Sequence, residues 1–292
     1  MKTQWMTKLV LTLTILSIAS VTPKSVRAQE NGLNGPPKVL VVHREMMKPH
    51  RGGMMHEKTE GAFVAALRAN HVDIHYFAMT SMSGPDRALF FSGYGSMAAW
   101  ETDEMAIAKH AMAAEAMDHA NAADGDLLAE TSPSVWLRDD EMSRNPHDLK
   151  GARYMQISQY LVKPGHVAEW EELVKVVKEA YAKGVPEASW VIFEERYGAN
   201  GNAYIVLTSM KSLSEVDGML GSGKAFADAL GEGGMKKLGQ LEAACVESWQ
   251  MNLFSINPKM SNPSEQWVKD DPDFWAPKKT SMPMKKADAK PM

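Results

Sequence analysis

The chain has a single cysteine, Cys245, among its 292 residues. It can close no disulfide within itself, so its stability has to come from a buried core. It also lacks the run of about 20 apolar residues that a membrane-spanning helix needs. Its most apolar stretch near the start, Leu9 to Ala19, has eleven residues. No GxSxG elbow, complete GxxxxGK[ST] loop, HExxH pair or CxxC pair occurs. The nucleophile-elbow hydrolases, the P-loop nucleotide enzymes and the HExxH zinc enzymes lose their usual signatures with them. Cations are in deficit as well, with 32 Lys and Arg against 36 Asp and Glu. An acidic chain is a poor partner for nucleic acid or an anionic membrane.

What is present begins with a secretory pattern. Lys2 and Lys8 precede the apolar run, and a polar stretch ends with Val26 and Ala28 where a signal peptidase reads. That order predicts a cleaved signal peptide over residues 1–28 and a secreted or periplasmic protein. The segment takes away Lys2, Lys8, Lys24 and Arg27 and no acid, so the formal charge moves from −4 to −8. At the other end, residues 278–292 carry prolines and lysines and few large apolar groups. They read as a disordered basic tail.

Between these ends the sequence repeats its order of elements. Lys48-Pro49 aligns with Lys163-Pro164. An extended segment precedes each pair, VLVVHREMM and YMQISQYLV. A helical segment follows each, then two strand-like runs joined by Ser-Gly-Pro-Asp or Gly-Ala-Asn-Gly. Such joints mark tight turns. A Ser then opens a helix, Ser96 in the first copy and Ser212 in the second, and each copy ends in a Trp-bearing strand. The order β-α-β-β-α-β, twice, is that of the ferredoxin-like unit. Each unit leaves one sheet face open, and two units bury those faces against each other. The expected fold is therefore α+β, two ferredoxin-like βαββαβ repeats packed sheet to sheet as a pseudo-dimeric α/β barrel. The repeats span 38–142 and 153–257, with a linker at 143–152. An extended C-terminal wrap follows over 258–277, pinned by Trp267, Phe274 and Trp275.

The segment YMQISQYLVKPGHVAEWEELV resembles the opening of dimeric α/β-barrel domains, the superfamily of antibiotic-biosynthesis-type monooxygenases and NIPSNAP-like proteins. Val162, Lys163, Pro164, Gly165 and Trp170 carry the likeness; the first copy has Met47-Lys48-Pro49-His50 at the same corner. The resemblance implies a ligand site in the barrel interior. It also implies an activity in which the substrate itself activates oxygen, so that few protein groups are required.

Strand alternation then selects candidates. With Ile157 and Leu161 turned to the helices, Gln156, Ser158 and Tyr160 point inward. The Lys-Pro register carries this to Val41, His43 and Glu45. His43 and Glu45 share a face, and a carboxylate beside an imidazole can tune a base or orient a ligand. His43, Glu45, His75 and Tyr160 are the candidate catalytic residues. Gln156, Ser158, Trp190 and Tyr204 are the candidate ligand-binding residues, suited to a small apolar or planar molecule. The cluster His43, Met46, Met47, His50, Met54, Met55 and His56 offers imidazole and thioether donors, a set that copper accepts. Within it, His50, Met54 and His56 form the alternative metal site.

Three functions follow, in this order: an exported small-molecule-binding protein, a cofactor-independent oxygenase or its haem-linked variant, and a copper or other metal handler. No cofactor is required by the first, no nucleic acid or transmembrane segment enters any of them, and both a monomer and a homodimer are compatible with the duplicated design.

Overall fold

The computed structural model describes residues 35–198 and 201–276. The expected signal peptide and basic tail lie outside the described residues. The elements run β1 (Val39–Met47), α1 (Met54–Ala69), β2 (Tyr76–Ser81), β3 (Arg87–Tyr94), α2 (Met97–Lys109), α3 (Ala111–Gly125) and β4 (Leu128–Arg144). They continue with β5 (Tyr154–Val162), α4 (Val167–Gly184), β6 (Trp190–Tyr197), β7 (Ala203–Met210), α5 (Ser214–Gly221), α6 (Gly223–Cys245) and β8 (Val246–Asn262). Two short helices, α7 (Glu265–Asp270) and α8 (Pro272–Trp275), close the described chain.

The strands form one closed antiparallel barrel in the order β1-β3-β2-β8-β5-β7-β6-β4. The first four strands of the chain lie together, and so do the last four. The two groups join where β2 pairs with β8 and where β4 pairs with β6. Closure leaves no sheet edge to attract another chain. The fold is thus α+β with the helices outside the barrel.

Local sequence explains the boundaries. Ser96 caps α2, its Oγ accepting from the Ala99 N–H at 3.1 Å. Ser212 does not cap α5 in the same way. The helix begins after Leu213, and the Glu215 carboxylate reaches back to accept from the N–H groups of Lys211 and Ser212. Gly231, at φ 65°, breaks the helical run inside α6, a conformation that glycine alone adopts without strain.

The barrel is filled by aliphatic and aromatic side chains from all eight strands. Leu40, Val42, Phe77, Leu89, Phe91 and Trp136 meet Met155, Ile157, Phe193, Ile205, Phe254 and Ile256. This reverses the facing expected from alternation. Leu161 and Ile157 point into the barrel, whereas Val41, His43, Glu45, Ser158 and Tyr160 lie on the helix-covered side. The reason is that both faces of each strand are buried, one by the opposite strands and one by the helices. Apolar residues therefore occur at both parities, and a one-residue slip turns every side chain over.

Candidate metal centre

Strand β1 sends His43 and Glu45 outward, toward α1. Helix α1 presents His56, Glu60, Val64 and Leu67 as its buried stripe, a spacing of one helical turn at a time. Asp124 comes from the last turn of α3, which packs beside α1. Glu45, His56, Glu60 and Asp124 meet under α1, each offering one donor atom, all within 4.8 Å of one another. All four are buried.

His56 is the hub. Its Nε2 lies 2.8 Å from Glu45 Oε2, 3.5 Å from Asp124 Oδ1 and 4.0 Å from Glu60 Oε1. Thr59 donates to Asp124 Oδ1 at 2.5 Å. His43, on the half-open rim, places Nε2 3.3 Å from Glu45 Oε1 and 2.9 Å from the Thr131 hydroxyl. Phe90 and Tyr76 roof the cluster. Phe90 stands edge-on to His56 at 6.4 Å and to Tyr76 at 5.9 Å. The Tyr76 hydroxyl is buried and has no hydrogen-bond partner among the described residues.

The electrostatics are one-sided. Among the described residues no lysine or arginine pairs with Glu45, Glu60 or Asp124. Burial, reinforced by Glu45 and Asp124, pushes the Glu60 carboxyl up to about 9. Burial also raises Asp124, against the hydrogen bond from Thr59. Burial acts on Glu45 in the same sense, but the hydrogen bonds from His43 and His56 outweigh it and hold this carboxyl below its ordinary value. Burial first, and then Glu60, drives the Tyr76 phenol well up. Three carboxyls crowded in a dry site with one imidazole are a costly arrangement unless a proton or a cation is shared among them.

The fold itself does not demand these charges. Tyr160 stands in the Lys-Pro register where Glu45 stands in the first half. That part of the second half is aromatic: Tyr160 lies 5.0 Å from Trp170, Trp170 lies 5.1 Å from Tyr204, and Val162 and Leu173 pack around them. Tyr160 also stacks on Trp249 at 6.2 Å.

The sequence candidates are therefore divided. His43, Glu45 and His56 come together. His50 is exposed in the loop before α1, and Met54 is 84% exposed, so neither joins His56. Tyr160, Ser158 and Tyr204 belong to the helix side of the second half, and Gln156 shares the parity of Ser158 on β5; none of them lines the barrel interior. Trp190 and His75 lie at the far end of the barrel, where a cavity of about 60 Å³ is lined by Phe77, Phe91, Phe193 and Trp267 as well. His75 Nε2 pairs there with Asp73 at 2.8 Å. Trp190 donates its indole N–H to the Met142 carbonyl at 3.1 Å. Glu60, Asp124 and Tyr76 were not among the candidates. The four-residue spacing of His56 and Glu60 on a helix was the available signal for the first; Asp124 had none, because only folding brings α3 to α1.

No family model matches the chain, and no curated protein matches it by sequence. Solved structures do. An anthrone oxidase-like protein aligns over 75% of this chain and 91% of its own, at 11% identity and a TM-score of 0.50. A candidate monooxygenase from Fusobacterium nucleatum aligns over 76% and 93%, at 11% identity and 0.47. A mutant chlorite dismutase from Candidatus Nitrospira defluvii, in complex with cyanide, aligns over 80% and 95%, at 9% identity and 0.44. At such identities the likeness concerns the fold alone.

Proposed function

We propose that this chain is an exported metal-binding protein, built as a tandem pair of ferredoxin-like repeats, whose centre is Glu45, His56, Glu60 and Asp124. The observation that carries the reading is the convergence of four buried donor groups with no lysine or arginine among them. Three carboxylates and one imidazole form a hard, oxygen-rich set. It suits Mn(II), Fe(II) or Zn(II) better than Cu(I), which prefers thioether and thiolate ligands. A divalent ion would replace the proton that Glu60 otherwise holds, and His43 would steady Glu45 from outside, as residues behind a ligand commonly do.

The test is direct. The chain is dialysed against EDTA and titrated calorimetrically with Mn(II), Fe(II) under argon, Zn(II) and Cu(I), with metal content measured afterwards. One equivalent of a divalent ion is expected, lost in H56A and in E60A. Binding that survives both substitutions, or Cu(I) bound more tightly than every divalent ion, overturns the assignment.

A second reading keeps the small-molecule partner. Its support is the far-end cavity, where the Trp267 indole N–H is buried without an acceptor among the described residues. A small, mostly apolar molecule carrying one carbonyl would satisfy it. The oxygenase reading, implied by the sequence resemblance at Val162–Gly165 and in keeping with the anthrone oxidase-like neighbour, would place its substrate there too. Calorimetry with acetone tests this reading, and affinity unchanged in W267F removes it.

A further inference from the structure

We propose that the barrel mouth beside the β2–β3 hairpin binds an oxyanion between Arg44 and Arg87. The site is independent of the metal centre, although only one strand separates them: His43 and Glu45 leave β1 on its outer face, and Arg44 leaves it on the inner one. Arg44 stands opposite Leu89, and Arg87 is two residues before Leu89 on the same face. Leu89 belongs to the barrel core. Both arginines therefore cap that core at one end, as diagonal neighbours across a strand pair.

Their partners do not balance them. Arg44 donates from Nε to the Ser132 hydroxyl at 3.1 Å and from Nη2 to Glu130 at 2.6 Å. Arg87 stacks its guanidinium 5.1 Å above the Phe254 ring, and no acceptor for its guanidinium is found among the described residues. One cation of the two is left over, in a chain whose overall charge is negative. Among the described residues the rim also carries neutral hydrogen-bonding groups. Gln250 donates to the Gln159 side chain at 3.2 Å, and Asn252 sits buried beside them. Glu195, a carboxyl on the inner face, stands opposite Trp136. A planar guanidinium held flat on an aromatic ring and left without an acceptor is pre-set for a forked contact to a carboxylate or phosphate. Arg44 adds the second positive charge, and the amides supply neutral donors around it.

Inorganic phosphate and acetate are the probes, titrated calorimetrically into the EDTA-dialysed full chain at low ionic strength. The same titration into E60Q excludes residual metal as the receptor. Saturable binding of either probe is expected, unchanged in E60Q. R87Q should weaken it about ten-fold, the worth of one charge-assisted hydrogen bond, and R87K should weaken it less. A stronger phosphate arm identifies phosphorylated ligands, and a stronger acetate arm identifies carboxylic acids. No saturable binding of either probe, or equal affinity in the parent chain and R87Q, overturns the proposal. If R87Q does not fold, R44Q and R87K carry the same comparison.

Discussion

Glu45 and His56 touch, Oε2 to Nε2, at 2.8 Å, although one belongs to a barrel strand and the other to the helix that covers it. The contact ties α1 to the sheet through charge where the second half uses aromatic packing. It also makes His56 the shared neighbour of Glu45 and Asp124, so that the cluster hangs together through one imidazole.

That dependence sets the first expectation. His56→Ala leaves Glu45 and Asp124 buried without their common partner. Breaking a buried pair from one side costs about 3 kcal/mol. Urea unfolding of the metal-free chain should show a loss of this order, with an unchanged m-value. A loss no greater than that of an average surface substitution would mean that water enters and solvates the cluster.

The pH dependence of the metal-free chain has a definite sign. Glu60 has its carboxyl raised to about 9 in the folded chain and an ordinary carboxyl value when unfolded. Between those values the folded state binds the extra proton. The stability this gives is complete below the ordinary value and is lost as pH rises through about 9. Asp124 is raised and acts in the same sense. Glu45 is lowered, so its contribution is present above the ordinary carboxyl value and is lost only on acidification below it. Thermal unfolding in EDTA should thus show a midpoint falling from about pH 5 to pH 9. In E60Q that slope should be reduced, and a parallel curve for E60Q and the parent chain would locate the titration elsewhere.

Trp267 supplies a test of the barrel end. It is 3% exposed and lies between Phe77, at 5.8 Å, and Trp275, at 5.2 Å. Truncating a buried tryptophan costs about 3–5 kcal/mol. Trp267→Ala should therefore destabilise the whole chain by that order, with a single unfolding transition by fluorescence and circular dichroism. A much smaller loss would show that α7 and α8 contribute little to barrel stability.

The element order was legible before folding because it is written in local chemistry. The turn at Ser83–Asp86 and the helix start at Ser96 are decided within a few residues of themselves, and the structure has them. The pairing of His43 with Glu45 was legible for the same reason, since alternate residues of a strand share a face. Which face it was could not be read. Ile157 and Val42 are apolar at one parity and Val41 and Val162 at the other, so alternation gave no preference, and the volume of a closed barrel decided it by taking Ile157, Leu161 and Val42 inside.

The candidate site divides along the same line. By itself the sequence determined that the chain has no disulfide to hold it, that its halves share one order of elements, and that His56 and Glu60 lie one turn apart on a helix. Only the tertiary structure brought Asp124 from 68 residues further along the chain than His56 to within 3.5 Å of it. Only it, too, decided that Arg44 faces the barrel interior and Glu45 the helices. Spacing along a chain fixes neighbours within an element. Contact between elements depends on how barrel closure and helix packing share out the volume, which no local pattern records.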